Sequence, residues 1–164
     1  MIPTLTLAEA RENWQKIIKG DGGHCPCCDR WGKWYQRGIN YTMAAGTVWL
    51  AVMSADGEWI EVPKRGPRWM VVSNQFPTMR WWGLVERNVP MPGEDKKFTG
   101  FWRATELGKQ WAAGKVKVPK YVWTYNNTVM EFEEPMVLVS ECLENFSYKE
   151  VMDVSYEPRK PKKE

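Results

Sequence analysis

The sequence predicts one domain of the mixed α/β class (α+β), in which short strands follow and separate amphipathic helices. Its 164 residues are 43% hydrophobic and 26% charged, proportions typical of a compact globular domain. A capping-box pattern introduces a helical periodicity near the amino end, and two later segments, 84–104 and 116–132, have the pattern of a β-hairpin. This composition excludes collagen-like, coiled-coil and disordered chains.

The amino-terminal part predicts one helix followed by a cysteine-rich knuckle. Thr6 and Glu9 have the capping-box spacing, and Gly20 ends the apolar periodicity that follows them. The predicted buried face of this helix consists of Leu7, Ala10, Trp14, Ile17 and Ile18. Residues 20–38 lose that periodicity and are rich in Gly, Cys, Pro and aromatic residues, which predicts a knuckle with a short hairpin.

The middle of the chain predicts a second helix and then shorter elements. Helical spacing returns over residues 40–54, and the alternation of residues 58–62 predicts a strand. Pro67 can begin a further helical turn, because proline is tolerated at a first helical position. Pro77 breaks the helical pattern, so residues 77–82 are predicted to form a separate short helix.

Two hairpins and the helix between them complete the predicted domain. Strand patterns at 84–87 and 100–104 flank a polar loop, and Thr105 can cap the helix that follows. Segments 116–124 and 128–132 are separated by a pair of asparagines, a residue type that tolerates positive φ in a hairpin turn. The domain is therefore predicted to span residues 1–157, with a disordered basic tail over 158–164.

Part of this pattern resembles a known DNA-binding module. The segments Met79–Arg87, Asp95–Lys97 and Trp102–Gly108 resemble the winged-helix module of MarR- and PadR-type regulators. In that family a Gly-Leu-Ile/Val strand follows the recognition helix, and the second wing strand leads into Leu-Thr-x-x-Gly. The family's wing carries an Asp-x-Arg, and Lys97 stands here in the position of its arginine. The resemblance implies a winged-helix core, with the helix-turn-helix and wing over residues 67–114 and a wing that reaches the DNA phosphates.

The whole chain also resembles a group of small proteins encoded by bacteriophages. Those proteins carry a Cys-Pro-x-Cys knuckle, a Trp-Gly-Leu strand start and a Gly-aromatic-Trp-Arg-x-Thr wing. The corresponding segments of this chain are residues 25–28, 82–84 and 100–105. The resemblance implies a phage setting with a bacterial host cytoplasm, and it implies no mechanism.

The cysteine knuckle predicts a structural zinc site. Cys25 and Cys28 form a C-x-x-C pattern, whose spacing lets two thiolates bind one tetrahedral Zn²⁺ at a tight turn. Two ligands among His24, Cys27 and Cys142 would complete the usual set of four. The alternative is a knuckle of small, buried, reduced cysteines that packs against neighbouring tryptophans.

Charge is distributed unevenly along the chain. Residues 96–120 hold seven basic residues and one acidic residue, a balance of +6, whereas 121–157 hold eight acidic residues and one basic residue, a balance of −7. The basic part suits phosphate contacts, although charge runs are also common on ordinary solvated surfaces. The predicted nucleic-acid-binding residues are Arg65, Arg68, Thr78, Arg80, Lys96, Lys97 and Arg103.

These patterns together predict a non-enzymatic winged-helix protein that binds double-stranded DNA in the cytoplasm. The sequence contains no Walker loop, G-x-S-x-G or H-E-x-x-H pattern and no apolar run of membrane-spanning length. The alternative is an inhibitor or adaptor that binds a host protein through Trp81 or Trp82 and the acidic segment 121–157. The oligomeric state stays open, with a homodimer among the options.

Overall fold

A computed structural model describes residues 4–89, 100–143 and 148–152. Their mixture of helix and sheet confirms the α+β class. Where the sequence predicts one domain, the chain divides into two compact units, the first formed by residues up to 38 together with 121–134 and the second by the remainder. The carboxyl-terminal residues 153–164, including the predicted basic tail, lie outside the described residues.

The first unit begins with the helix and the short hairpin that the sequence predicts. Helix α1 spans Leu7–Lys19, and the Thr6 hydroxyl accepts a hydrogen bond from the Glu9 N–H at 3.1 Å. Strands β1 (Gly23–His24) and β2 (Trp31–Gly32) pair antiparallel. The predicted apolar face is buried at Ala10 and Ile18 but not in the first turn, where Leu7 is 61% exposed.

A three-stranded sheet completes the first unit. Strand β3 (Tyr35–Gly38) lies beside β7 (Val118–Tyr125), which pairs in turn with β8 (Thr128–Val137). Asn126 and Asn127 have φ values of 50° and 60°, so the predicted hairpin turn between β7 and β8 is confirmed. The pairing of β3 with β7 is antiparallel and joins segments far apart in sequence, which local patterns do not indicate.

The second unit is built around helix α2, Tyr41–Met53. The Asn40 side chain caps it by accepting a hydrogen bond from the Met43 N–H at 2.9 Å. Every residue from Met43 to Ala51 is buried. A helix that is apolar on all sides must be covered on all sides, so the helix predicted over residues 40–54 is the central helix of this unit.

Short elements surround α2. The helices are α3 (Val62–Arg65), α4 (Arg68–Ser73), a 3₁₀ helix (Phe76–Trp82), α5 (Glu106–Ala112), α6 (Val139–Cys142) and α7 (Tyr148–Met152). The strands are β4 (Ile60–Glu61), β5 (Val85–Arg87) and β6 (Phe101–Ala104), in the spatial order β4–β6–β5 with antiparallel pairing. The predicted antiparallel pairing of the two strands in segment 84–104 is therefore confirmed, whereas α3 and α6 were not expected from the sequence.

The pattern of buried side chains explains why the short helix before β5 is a 3₁₀ helix. Phe76, Met79 and Trp82 are buried at a spacing of three, which is the period of a 3₁₀ helix. This helix begins one residue before Pro77, where the sequence predicts its start. Among the described residues, no helix has both the length and the apolar character that a membrane crossing requires.

Candidate functional site

The hairpin of β5 and β6 forms the framework of the candidate DNA-binding surface. Val85 pairs with Ala104 and Arg87 pairs with Trp102, so the loop between these strands leaves the sheet beside Arg87. Residues 90–99 of this loop, with the predicted phosphate contacts Lys96 and Lys97, lie outside the described residues. The structure therefore describes the two strands of the predicted wing, and not the tip of the loop between them.

Helix α3 lies against the carboxyl end of that loop. The Val62 N–H donates a hydrogen bond to the Gly100 carbonyl at 3.1 Å, next to the pairing of β4 with β6. Two exposed basic side chains follow on α3: Lys64 lies 3.3 Å from Glu61, and Arg65 lies 3.3 Å from Glu58. Exposed ion pairs of this kind are weak, so these cations remain available to a phosphate.

The 3₁₀ helix presents its polar face opposite the buried one. Arg80 is exposed, and its guanidinium lies 5.7 Å from the centre of the Trp81 ring. Thr78 is half-buried and its hydroxyl donates to the Gln75 carbonyl at 2.6 Å, which leaves the oxygen lone pairs for a further donor. Arg68, the remaining predicted contact, is exposed at the start of α4.

Arg103 has a different role from the one predicted for it. Its Nε lies 2.5 Å from Glu86 Oε1, its Nη1 donates to the Gly57 carbonyl at 3.2 Å, and its guanidinium lies 4.1 Å from the centre of the Trp59 ring. A guanidinium held on three sides braces β5 against β6. The position of Glu86 directly opposite Arg103 was the sequence signal for this pairing.

The cysteine knuckle is a tight turn closed by backbone hydrogen bonds. The Cys25 N–H donates to the Arg30 carbonyl at 2.8 Å, and the Asp29 N–H donates to the Cys25 carbonyl at 2.9 Å. Backbone N–H groups of Cys27, at 3.4 Å from Cys25 Sγ, and of Cys28 hold the pKa of the Cys25 thiol below its ordinary value. A turn that stabilises a thiolate in this way favours a metal ligand at Cys25.

The fit of this knuckle to zinc is partial. Cys27 and Cys28 are exposed, so the alternative of a buried cysteine knuckle does not describe them. His24 Nδ1 lies 2.9 Å from the Asp29 carbonyl, and as a donor there it leaves Nε2 as the lone-pair nitrogen. No group of three or more potential ligands able to hold a metal ion is found within the described ranges. Cys142 belongs to the second unit, and burial raises the pKa of its thiol.

The two tryptophans predicted as exposed anchors differ in burial. Trp82 is buried, and its indole N–H donates to the Pro119 carbonyl at 2.7 Å, so it is a core residue. Trp81 is half-buried, and its buried indole nitrogen has no hydrogen-bond partner among the described residues. Of the two tryptophans, Trp81 is therefore the one with surface available for a contact with a partner protein.

Strand β8 forms a separate acidic surface in the first unit. It lies at the edge of its sheet, and residues 130–134 are all exposed. Met130 and Phe132 are 39% and 44% exposed and alternate with glutamates. Glu133 is held in place by the side chains of Gln36 and Trp123. The hydrophobic side chains and the acidic groups of this edge are both accessible to a partner.

No protein-family model matches this sequence, and no curated protein or solved structure is significantly similar to it.

Proposed function

We propose that this chain is a non-enzymatic winged-helix protein that binds double-stranded DNA through its second unit. The observation that carries the proposal is the sheet order β4–β6–β5, in which β5 follows a short helix that exposes Arg80. A winged helix combines these parts in this order. The resemblance of segments 79–87 and 102–108 to MarR- and PadR-type regulators supports the same arrangement.

Charge supports this choice of surface. Residues 39–120 hold 12 basic and 7 acidic residues, a balance of +5. Lys64 and Arg65 lie at the carboxyl end of the hairpin loop, which itself carries Lys96 and Lys97. With Arg80 on the short helix, these cations form the proposed phosphate-binding set, while Thr78 faces the groove. Arg103 is not part of this set.

An equilibrium titration of the full chain against a mixed-sequence DNA duplex tests whether the chain binds DNA. Five phosphate contacts, one for each cation of the phosphate-binding set, give a slope of log K on log salt near −4.5, so affinity falls about 500-fold between roughly 50 and 200 mM salt. Fluorescence anisotropy of labelled DNA measures both quantities. Absence of binding at the lowest salt concentration contradicts the proposal.

Variants of Arg80 and Arg103 should have different effects: the first on DNA binding and the second on the stability of the fold. Arg80→Ala is expected to leave the melting temperature unchanged and to reduce the salt slope by about 1, because one exposed phosphate contact is lost. Arg103→Leu should lower the free energy of unfolding by about 1 to 2 kcal/mol through the loss of its ion pair and carbonyl contact. Its salt slope should match that of the wild type. A lower stability in Arg80→Ala together with a shallower salt slope in Arg103→Leu would contradict the roles given to these two arginines.

A structural zinc ion at the knuckle forms part of the same proposal. Cys25 and Cys28 are its thiolate ligands, and His24 and Cys27 are the nearest candidates to complete the set. When bound, zinc would supply folding free energy to a loop with little apolar burial. The chain's own residues hold the turn in the absence of the ion, through the backbone hydrogen bonds of Cys25 and Asp29.

Elemental analysis and thermal melting test the zinc site. The purified chain is expected to contain one zinc, and Cys25→Ser should lose the metal and melt at a lower temperature. Cys142→Ser retains the metal if the knuckle supplies all the ligands. A metal-free wild type whose melting temperature equals that of Cys25→Ser removes zinc from the proposal.

A second candidate function, binding of a host protein, is favoured by the exposed β8 edge. Within the described residues β8 pairs on one side only, and its alternation of Met130 and Phe132 with glutamates suits a basic, extended partner segment. A pull-down from bacterial lysate tests this candidate, and the wild type is expected to capture a single bacterial protein. Phe132→Asp should abolish that capture and leave DNA affinity unchanged. If Phe132→Asp retains the captured protein, this candidate fails.

A further inference from the structure

A cavity of about 540 Å³ opens in the second unit. It lies between the carboxyl-terminal half of α2, the end of α5 and α6. The lining residues are Val48, Ala51, Val52, Ala55, Lys109, Ala112, Ala113, Val139, Ser140 and Leu143. Its volume falls within the range of about 300 to 1,000 Å³ that is usual for small-molecule sites.

Small side chains on facing helices create this space. Ala51 and Ala55 at the end of α2 face Ala112 and Ala113 at the end of α5, where larger residues would close the gap between the helices. Ala51 is buried while Ala55 and Ala113 are exposed, so the cavity runs from the core of the unit to its surface. A ligand could therefore enter without unfolding the unit.

The chemistry of the wall is unusually uniform. Eight of the ten described residues that line it are aliphatic, and none of these ten carries an aromatic ring or a carboxylate. The exceptions are Lys109 and Ser140. Lys109 is half-buried, and its ammonium donates to the Ala55 carbonyl at 3.2 Å, which holds the charge at the margin of the cavity. An ammonium with three donors retains capacity for an anionic acceptor.

We propose that this cavity binds a medium-chain aliphatic carboxylate. The hydrocarbon chain would lie against the alanine and valine walls, and the carboxylate would accept a hydrogen bond from Lys109. Charge complementarity selects an anion because Lys109, a cation, is the one charged residue that lines the cavity in the described part of the chain. The aliphatic wall selects a flexible chain over a flat aromatic ring, which aromatic side chains would stack against. This proposal does not depend on DNA binding.

Calorimetric titration of the full chain with octanoate, decanoate and dodecanoate below their micelle concentrations tests the site. Each buried methylene should tighten binding by up to about fourfold, so affinity rises along the series. Lys109→Met should weaken decanoate binding about tenfold and leave 1-decanol binding unchanged. Lys117→Met, which removes an exposed lysine outside the cavity, is the matched control and should bind like the wild type.

A cavity-filling variant distinguishes this site from general surface adsorption. Ala112→Leu should abolish binding of both decanoate and decanol while the chain stays folded. If that variant fails to fold, Val52→Trp, at a 37% exposed position of the wall, blocks the same space from outside. Failure of the wild type to bind decanoate overturns the proposal, as does binding that a folded Ala112→Leu or Val52→Trp variant retains. Equal loss of decanoate and decanol binding in Lys109→Met overturns the assignment of the carboxylate.

Discussion

Gly108→Ala is expected to destabilise the second unit by about 3 kcal/mol or more. A Cβ at position 108 would lie 1.9 Å from the Leu84 carbonyl oxygen and 2.9 Å from its carbonyl carbon. Both are backbone atoms, so no side-chain rotation relieves the clash. Gly108 also donates its N–H to the Thr105 cap, which ties the start of α5 to the hairpin. The substitution therefore pushes α5 away from the root of β5.

Gly57→Ala is the matched control. Gly57 has a φ of +86° but nothing within 4 Å of its ideal Cβ, so alanine there costs only the left-handed backbone term of about 1 to 2 kcal/mol. Thermal melting should separate the variants, because about 1 kcal/mol shifts the midpoint by roughly 2–4 °C in a chain of this size. Equal midpoints for Gly108→Ala and Gly57→Ala would contradict the close approach of α5 to Leu84.

Trp111→Ala is expected to cost about 3–5 kcal/mol of unfolding free energy. Trp111 is fully buried in α5, and its indole N–H donates to the Val137 carbonyl at 3.1 Å. The variant therefore leaves a cavity and an unpaired backbone acceptor. Urea denaturation measures the loss, with Trp31→Ala as the control because Trp31 is 51% exposed. A loss in Trp111→Ala no larger than that of the control would contradict this packing.

Local sequence patterns predicted the local elements of this fold well. Thr6, Asn40 and Thr105 all cap helices through their side chains, as short polar residues before an apolar periodicity should. The asparagine turn and the pairing of β5 with β6 follow from equally local signals. Caps and tight turns depend on a few neighbouring residues, so one sequence is sufficient to predict them.

The features that the sequence did not predict depend on distant partners. The pairing of β3 with β7, which organises the first unit, has no signal in either segment alone. Helical spacing over residues 40–54 predicted α2, but not that every residue from Met43 to Ala51 is buried, because this burial depends on the elements packed around the helix. In the candidate site, Arg80 remains an exposed cation as predicted, whereas Arg103 is engaged by Glu86 and Trp59. A count of charges along the sequence cannot distinguish these two arginines, because it does not show which side chains lie next to each other in the fold.

The salt dependence of DNA binding in a hairpin-loop variant tests the central claim most directly. Lys96→Ala combined with Lys97→Ala removes the two loop cations, and the slope of log K on log salt should become shallower by about 1.8. Arg11→Ala combined with Lys16→Ala, two exposed positions of α1 in the first unit, is the matched control and should keep the wild-type slope. A shallower slope in the loop variant alone is the predicted result. A loop variant whose slope equals that of the wild type would contradict DNA binding by a winged helix.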